Sequence, residues 1–258
     1  MSETHRYYYA VMPEDTICQA RLDALTAKPI GGGTRFFMAN TNGLSIIYSG
    51  TDQTEILSTR RHMLNHTRIL EGLMEKGAIL PFRFGVIGPE NGALENIITM
   101  RATDLRSQLN ALQGQYEMGI RISWERSEIM KRVVADDADL STTYDALKGR
   151  PDVETHYARV ELGRKVHTAL SERRSRESEM IARRIEERAL RSARLDLHDD
   201  MSILNGAYLV DKHTEQSILS LVEEFDQASP DLYRIKILSP VPPFNFVSID
   251  LNPAEAAA

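Results

Sequence analysis

At 258 residues, with 42% hydrophobic and 26% charged side chains, the chain can form one large domain or two small ones and bury a core without staples. Its single cysteine, Cys18, excludes an internal disulfide framework and suits a reducing compartment. A net charge of −6 gives no bulk reason to expect nucleic acid, and no uncharged stretch reaches the ~20 apolar residues of a membrane helix. The opening Met-Ser-Glu-Thr-His-Arg-Tyr lacks the apolar region of a signal peptide, so the expected location is the cytoplasm.

In chain order, His5 to Met12 is aromatic and β-branched and predicts a strand ended by Pro13. Asp15 is a candidate N-cap for a helix through Ile17, Ala20, Leu22 and Leu25, on whose apolar face Cys18 would be an inert buried thiol. Gly31-Gly32-Gly33 punctuates. Phe36 to Met38 and Leu44 to Tyr48, around a turn at Asn40 to Gly43, predict a β-hairpin. Thr54 to Lys76 repeats apolar residues at helical spacing (Ile56, Met63 and Leu70; Leu57 and Leu64), with Gly77 as the stop. Ile79 to Ile87 returns to an extended run, and Leu94 to Leu112 traces another helix. One mostly antiparallel sheet covered by helices accommodates this order.

A second series begins at Gly114. Glu117 to Glu125 alternates as a half-buried strand, Arg126 to Val134 is helical, and an Asp-rich connector follows. Asp152 opens a charged helix expected to run to about Leu195, apolar at its ends (Val153, Tyr157, Val160; Ile181, Ile185, Ala189) and wholly polar from Ser171 to Glu179. Strands are expected at Ile203 to Val210, Tyr233 to Leu238 and Phe244 to Ile249, with a helix over Glu215 to Phe225. The fold class is α/β (α+β) in two domains, 1–114 and 115–258.

A catalytic constellation does not emerge. His62 and His66 stand four apart on a helix, but Met63 follows where a zinc protease has its glutamate, so they read as exposed or capping histidines and no metal is expected. The glycine run enters a strand rather than a helix, and no lysine follows it as a phosphate loop requires. Asp136-Asp137 and Asp199-Asp200 read as caps. From Asp152 to Asp196 there are 11 basic against 9 acidic residues; the interleaved glutamates predict an ion-paired face rather than a phosphate track. Two alternatives stay open: a ferredoxin-like small-molecule-binding protein or enzyme, and a nucleic-acid binder using the Arg-rich helix.

Four stretches carry a family resemblance: Leu80-Pro81-Phe82-Arg83-Phe84-Gly85, Glu117 to Glu125 with Trp124, Asn205-Gly206-Ala207-Tyr208-Leu209-Val210, and Pro242-Pro243-Phe244-Asn245-Phe246-Val247. In order and separation they resemble the gas vesicle accessory family GvpL/GvpF. One departure is Ser239-Pro240-Val241, where the family often has a tryptophan. The resemblance implies a non-enzymatic assembly role, a second domain that is a modified ferredoxin-like unit, no cofactor, no nucleic-acid or membrane partner, and location in the cytoplasm and at the gas vesicle. The implied partners are the small hydrophobic wall protein GvpA and, beyond it, other accessory proteins. Such a partner calls for apolar surface or an open sheet edge. The candidate contacts are Phe36, Phe37, Leu80, Phe82, Phe84 and Val86, all in 1–114, the half expected to bind the wall protein. Arg83, between two phenylalanines, is expected to be structural and to hold a carboxylate or carbonyl.

Overall fold

Three consecutive tyrosines set the first layer arrangement. In the computed structural model, which describes residues 5–90 and 92–249, β1 (His5–Pro13) carries Tyr7, Tyr8 and Tyr9, all fully buried. Successive side chains of a strand leave opposite faces, and here Tyr7 and Tyr9 meet one helix layer while Tyr8 meets another. The sheet is therefore covered on both sides.

After β1 come α1 (Gln19–Asp23), the hairpin β2 (Phe36–Thr41) and β3 (Leu44–Thr51), and α2 (Arg60–Met74). β4 (Leu80–Pro81), β5 (Ile87–Pro89), α3 (Ala93–Met100) and α4 (Ala102–Ala111) complete the series. Asn42 and Gly43 both take positive φ (48° and 76°), the two-residue turn that matches the twist of paired strands. The sheet runs β2-β3-β1-β4, with β5 also pairing β1.

Several expected elements differ. Cys18, not Asp15, is the residue before α1, and its thiol is exposed rather than buried. α2 begins only at Arg60, capped by Thr59, and turns His66, Ile69, Leu70 and Leu73 inward; Leu57, Met63 and Leu64 are exposed. The extended run at 79–87 breaks into two short strands because Gly85 adopts φ 90°, a left-handed conformation, and bends the chain away from β1 between them. The helix at 94–112 is two helices that meet at Arg101.

The second series comprises β6 (Tyr116–Trp124), α5 (Arg126–Asp136), α6 (Ala138–Leu147), α7 (Asp152–Glu186), β7 (Arg191–Arg194), β8 (Ser202–Val210), α8 (Lys212–Ala228) and β9 (Tyr233–Val241). Its sheet order is β7-β8-β6-β9, with β8 buried at every position. α7 and α8 lie side by side, Arg184 resting 4.7 Å over the Phe225 ring. The expected connector contains α6, because Asp137 accepts from the backbone N–H groups of Asp139 and Leu140 and so starts a helix. α7 stops at Glu186, short of Leu195. Arg191–Arg194 instead pairs antiparallel with Gly206–Leu209, satisfying a sheet edge that would otherwise be open. Phe244 to Ile249 is not a strand but a run of turns, Pro242 and Pro243 having no N–H to give a ladder.

Contacts divide the chain into two units, one holding the described residues to Glu117 together with those from Ser239 on, the other Met118–Leu238. The boundaries expected from sequence kept the closing segment with the second half; in the structure Phe244 packs against the core of the first. Numbered within its own unit, each sheet reads second-third-first-fourth strand, with β4 and β5 together as the first unit's fourth. Both units thus follow the βαββαβ path of a ferredoxin-like fold, which the family resemblance implies only for the second.

Candidate functional site

The six candidate contact residues separate into two groups. Phe36, Leu80 and Phe82 are buried, at 4%, 0% and 2% exposure, and fill the first core; Phe37, Phe84 and Val86 are half-buried. The Asn42-Gly43 turn places Thr41 opposite Leu44 and, further along, Phe37 opposite Tyr48. Their rings stack at 5.6 Å and 20°, Arg35 caps Phe37 at 4.6 Å and Arg6 caps Tyr48 at 4.6 Å. A cation–ring–ring–cation row thus crosses the outer strands. Glu95 pairs with Arg6 and accepts from the Tyr8 hydroxyl at 3.2 Å. Burial and then the Glu95 charge push the Tyr8 phenol up. Tyr48, Arg35 and Arg6 were not among the expected contacts, although the turn alone fixes Tyr48 beside Phe37.

The opposite face explains the Pro-Phe-Arg-Phe-Gly stretch. His66, only 2% exposed, sits among Tyr7, Tyr9 and Phe84. Its Nε2 lies 3.0 Å from the Phe82 carbonyl, which can only accept, so Nε2 carries the proton. Nδ1 then accepts from the Tyr7 hydroxyl at 3.0 Å, and that hydroxyl accepts from the Gly85 N–H at 3.2 Å. Every polar atom of the chain of bonds is satisfied with neutral imidazole. Burial lowers the His66 pKa accordingly and pushes the Tyr9 phenol up to about 12. His66 is therefore a core residue rather than an exposed or capping one. His62 turns elsewhere, its Nδ1 2.9 Å from the Leu57 carbonyl. Among the described residues no three His, Cys, Asp or Glu side chains converge on a point where a metal ion could sit. Arg83 is exposed and has no bonding partner among the described residues, which corrects the structural role expected for it.

The remaining motif residues act as joints within units. Glu117 is buried; its carboxylate accepts from the Asn245 backbone N–H at 2.9 Å and side-chain amide at 2.7 Å, fastening the closing segment to the first unit. Burial raises its pKa against the pull of those two bonds. Trp124 donates its indole N–H to Glu177 at 2.9 Å, and Tyr233 donates its hydroxyl to the same oxygen at 3.1 Å. Arg173 reaches the other Glu177 oxygen at 2.7 Å. Within the wholly polar middle of α7, Glu177 thus gathers Trp124, Tyr233 and Arg173 on one carboxylate, while Asp136 holds Arg173 from outside the helix at 2.8 Å. On β8 a Cβ at Gly206 would lie 2.5 Å from the Tyr208 hydroxyl, so that ring folds back over bare backbone. The Arg-rich stretch is ion-paired as expected: Arg194 bridges Glu179 and Glu186 at 2.6 Å each, and Arg183 meets Glu187 at 3.1 Å. Val153 and Tyr157, one apolar end of α7, are 95% and 89% exposed.

Comparison with known proteins places this geometry. Residues 5–248 match the family described as gas vesicle synthesis protein GvpL/GvpF. Gas vesicle protein F of Microcystis aeruginosa is 26% identical over 94% of this chain and 98% of its own length. Gas vesicle protein F2 of Halobacterium salinarum is 24% identical over 99% and 98%. The crystal structure of GvpF from Microcystis aeruginosa superimposes with a TM-score of 0.72 at 25% identity, covering 95% of this chain and all (100%) of that one. The GvpF structure from Anabaena sp. gives 0.77 at 20% identity over 96% and 99%, a likeness of fold.

Proposed function

The chain belongs to the gas vesicle synthesis protein GvpL/GvpF family, and from that premise we propose that it is a non-catalytic assembly factor that binds the wall protein GvpA and further accessory proteins. The observation that carries the reading is the extent of the match, which runs through both units from residue 5 to 248. Its place of action is the cytoplasm and the growing vesicle. Among the described residues no helix is long and apolar enough to cross a membrane.

A small apolar subunit awaiting assembly is best held by apolar surface beside an open strand edge. On the first unit β2 is the terminal strand of its sheet and presents Phe37 in the ring row with Tyr48. Phe84 and Val86 are the other half-open members of the expected set. Phe82 packs against Tyr8 on the same face as the Phe37–Tyr48 row, whereas Phe36 and Phe84 pack with Tyr9, Tyr7 and His66 on the opposite face of the sheet.

Deletion of the gene in a vesicle-forming host should abolish or deform vesicles, and the intact chain should restore them. Normal vesicles in the deletion strain would refute the assembly role. In a pull-down with GvpA, full-length Phe37→Glu should capture less wall protein while keeping its circular dichroism spectrum. Unchanged capture would exclude β2 as the contact.

A further inference from the structure

A groove runs along the second unit between α7 and the helix pair α5–α6. It consists of two hollows of about 750 and 380 Å³ that share Met130, Gly163 and Val166 and are therefore continuous. Between Arg159 and Arg174, α7 supplies the neighbouring pairs Leu162-Gly163, Val166-His167 and Leu170-Ser171, which recur every four residues in the manner of one helix face. Val134 and Tyr144 close the other side, Tyr144 with 49% of its surface exposed.

The centre of this face is glycine. Nothing lies within 4 Å of the position a Cβ would take at Gly163. Glycine is the least favourable residue in a helix interior after proline, and no internal neighbour requires it here. Bare backbone at the middle of an apolar trough permits close approach by another chain.

The rim has a sign. Arg126, Lys131, Lys148, Arg159 and Arg174 line the two hollows, against the single carboxylate of Asp200, on a chain whose net charge is −6. Arg159 and Arg174 are held by Asp152 at 3.3 Å and Asp200 at 3.7 Å, and Lys131 faces Glu128 at 3.8 Å. Arg126 and Lys148 have no carboxylate partner among the described residues. From Arg159 to Arg174 the face extends about 22 Å at ~1.5 Å per residue, the length of a four-turn helix. Much of the groove wall is helix surface, which favours a helix over an added strand.

We propose that this groove seats an amphipathic helix of a partner protein, its apolar stripe over Gly163 and Val166 and its flanking carboxylates against Arg126 and Lys148. The proposal stands apart from the wall-protein reading, which concerns the first unit.

The test uses the full-length protein and a fluorescent synthetic helix with leucines at i, i+3, i+4 and i+7 bordered by glutamates, beside the same peptide bordered by lysines. The acidic peptide should bind at least about tenfold more tightly than the basic one. Gly163→Leu fills the trough, and because the space above that backbone is open the variant should keep its circular dichroism spectrum yet lose about tenfold or more in affinity. Arg126→Glu with Lys148→Glu, both on the surface, should reverse the preference between peptides. Equal binding of the two peptides, binding of neither, or binding indifferent to Gly163→Leu would overturn the proposal. So would a dimer of this chain, seen in sedimentation, that Gly163→Leu dissociates and the acidic peptide does not, since the occupant would then be a second copy.

Discussion

His66 makes the stability of the first unit depend on pH in a direction fixed by its bonds. Neutral imidazole satisfies the Phe82 carbonyl, the Tyr7 hydroxyl and, through Tyr7, the Gly85 N–H. A second proton would go on Nδ1 and point at the Tyr7 oxygen, leaving that hydroxyl's own hydrogen without an acceptor in a core of aromatic rings. Burial therefore lowers the folded-state pKa from the ordinary 6.5. Above 6.5 both folded and unfolded forms are neutral and His66 adds no pH dependence. Below it the unfolded chain binds one proton more, so stability falls with pH until the folded pKa is reached, then levels. One proton corresponds to about 1.4 kcal/mol per pH unit in that window.

His66→Gln supplies the reference, since an amide can donate to Phe82 and accept from Tyr7 without titrating. Urea unfolding followed by far-ultraviolet circular dichroism should show native minus variant stability constant above 6.5 and declining by about 1.4 kcal/mol per pH unit below it. The only tryptophan, Trp124, lies in the second strand series and reports that unit separately by fluorescence. Tyr7→Phe strands both Nδ1 and the Gly85 N–H and should cost about 2–4 kcal/mol. A native-minus-variant difference that stays flat, or a His66 ring resonance titrating at 6.5 or above, would refute the buried, neutral imidazole.

Three further outcomes follow from single contacts. Glu177→Ala removes the shared acceptor of Trp124, Tyr233 and Arg173 and should destabilise the second unit by about 3–5 kcal/mol with a red shift of Trp124 emission; unshifted emission would show that the indole bond does not hold. Tyr208→Phe deletes a buried hydroxyl that has no hydrogen-bond partner among the described residues, and should raise stability by about 1 kcal/mol, a lowered melting temperature counting against it. Arg83→Ala should leave stability within about 0.5 kcal/mol of native, because the side chain is exposed and unpaired; a larger loss in a thermal melt would restore a structural role.

Elements with a strong local signal were legible in the sequence. The aromatic triplet of β1, the Asn42-Gly43 hairpin and the apolar run of β8 each carry their own instruction. What escaped depended on partners distant in sequence. Arg191–Arg194 continues a helical pattern on paper, and only the open edge of β8 turns it into a strand. Asp137 reads as a cap and is one, but the short helix α6 that it starts lies in a stretch whose pattern alone reads as connector. Among the six candidate contacts, Phe36 and Phe37 differ only in which face of β2 they take, and periodicity cannot say which face is covered. His66 is hidden for a related reason: its polarity argues against burial, yet Tyr7 and the Phe82 carbonyl satisfy it fully.

The shared strand order of the two units accounts for where the molecule differs from itself. Between first and second strands the first unit has only the five-residue α1, whereas the second has α5, α6 and the 35-residue α7. α7 has to do two things along one axis. Near its C-terminal end Ile181, Ala182 and Ile185 are buried, and Glu177 ties that stretch to Trp124 and Tyr233. Its N-terminal half meets α5 and α6 instead, and there the face containing Gly163 is left partly open. A helix anchored to a sheet at one end can present the other rigidly, which suits a docking groove better than a loop would. The insertion between the first two strands, absent from the first unit, is therefore the part of the fold most free to have been shaped by a partner.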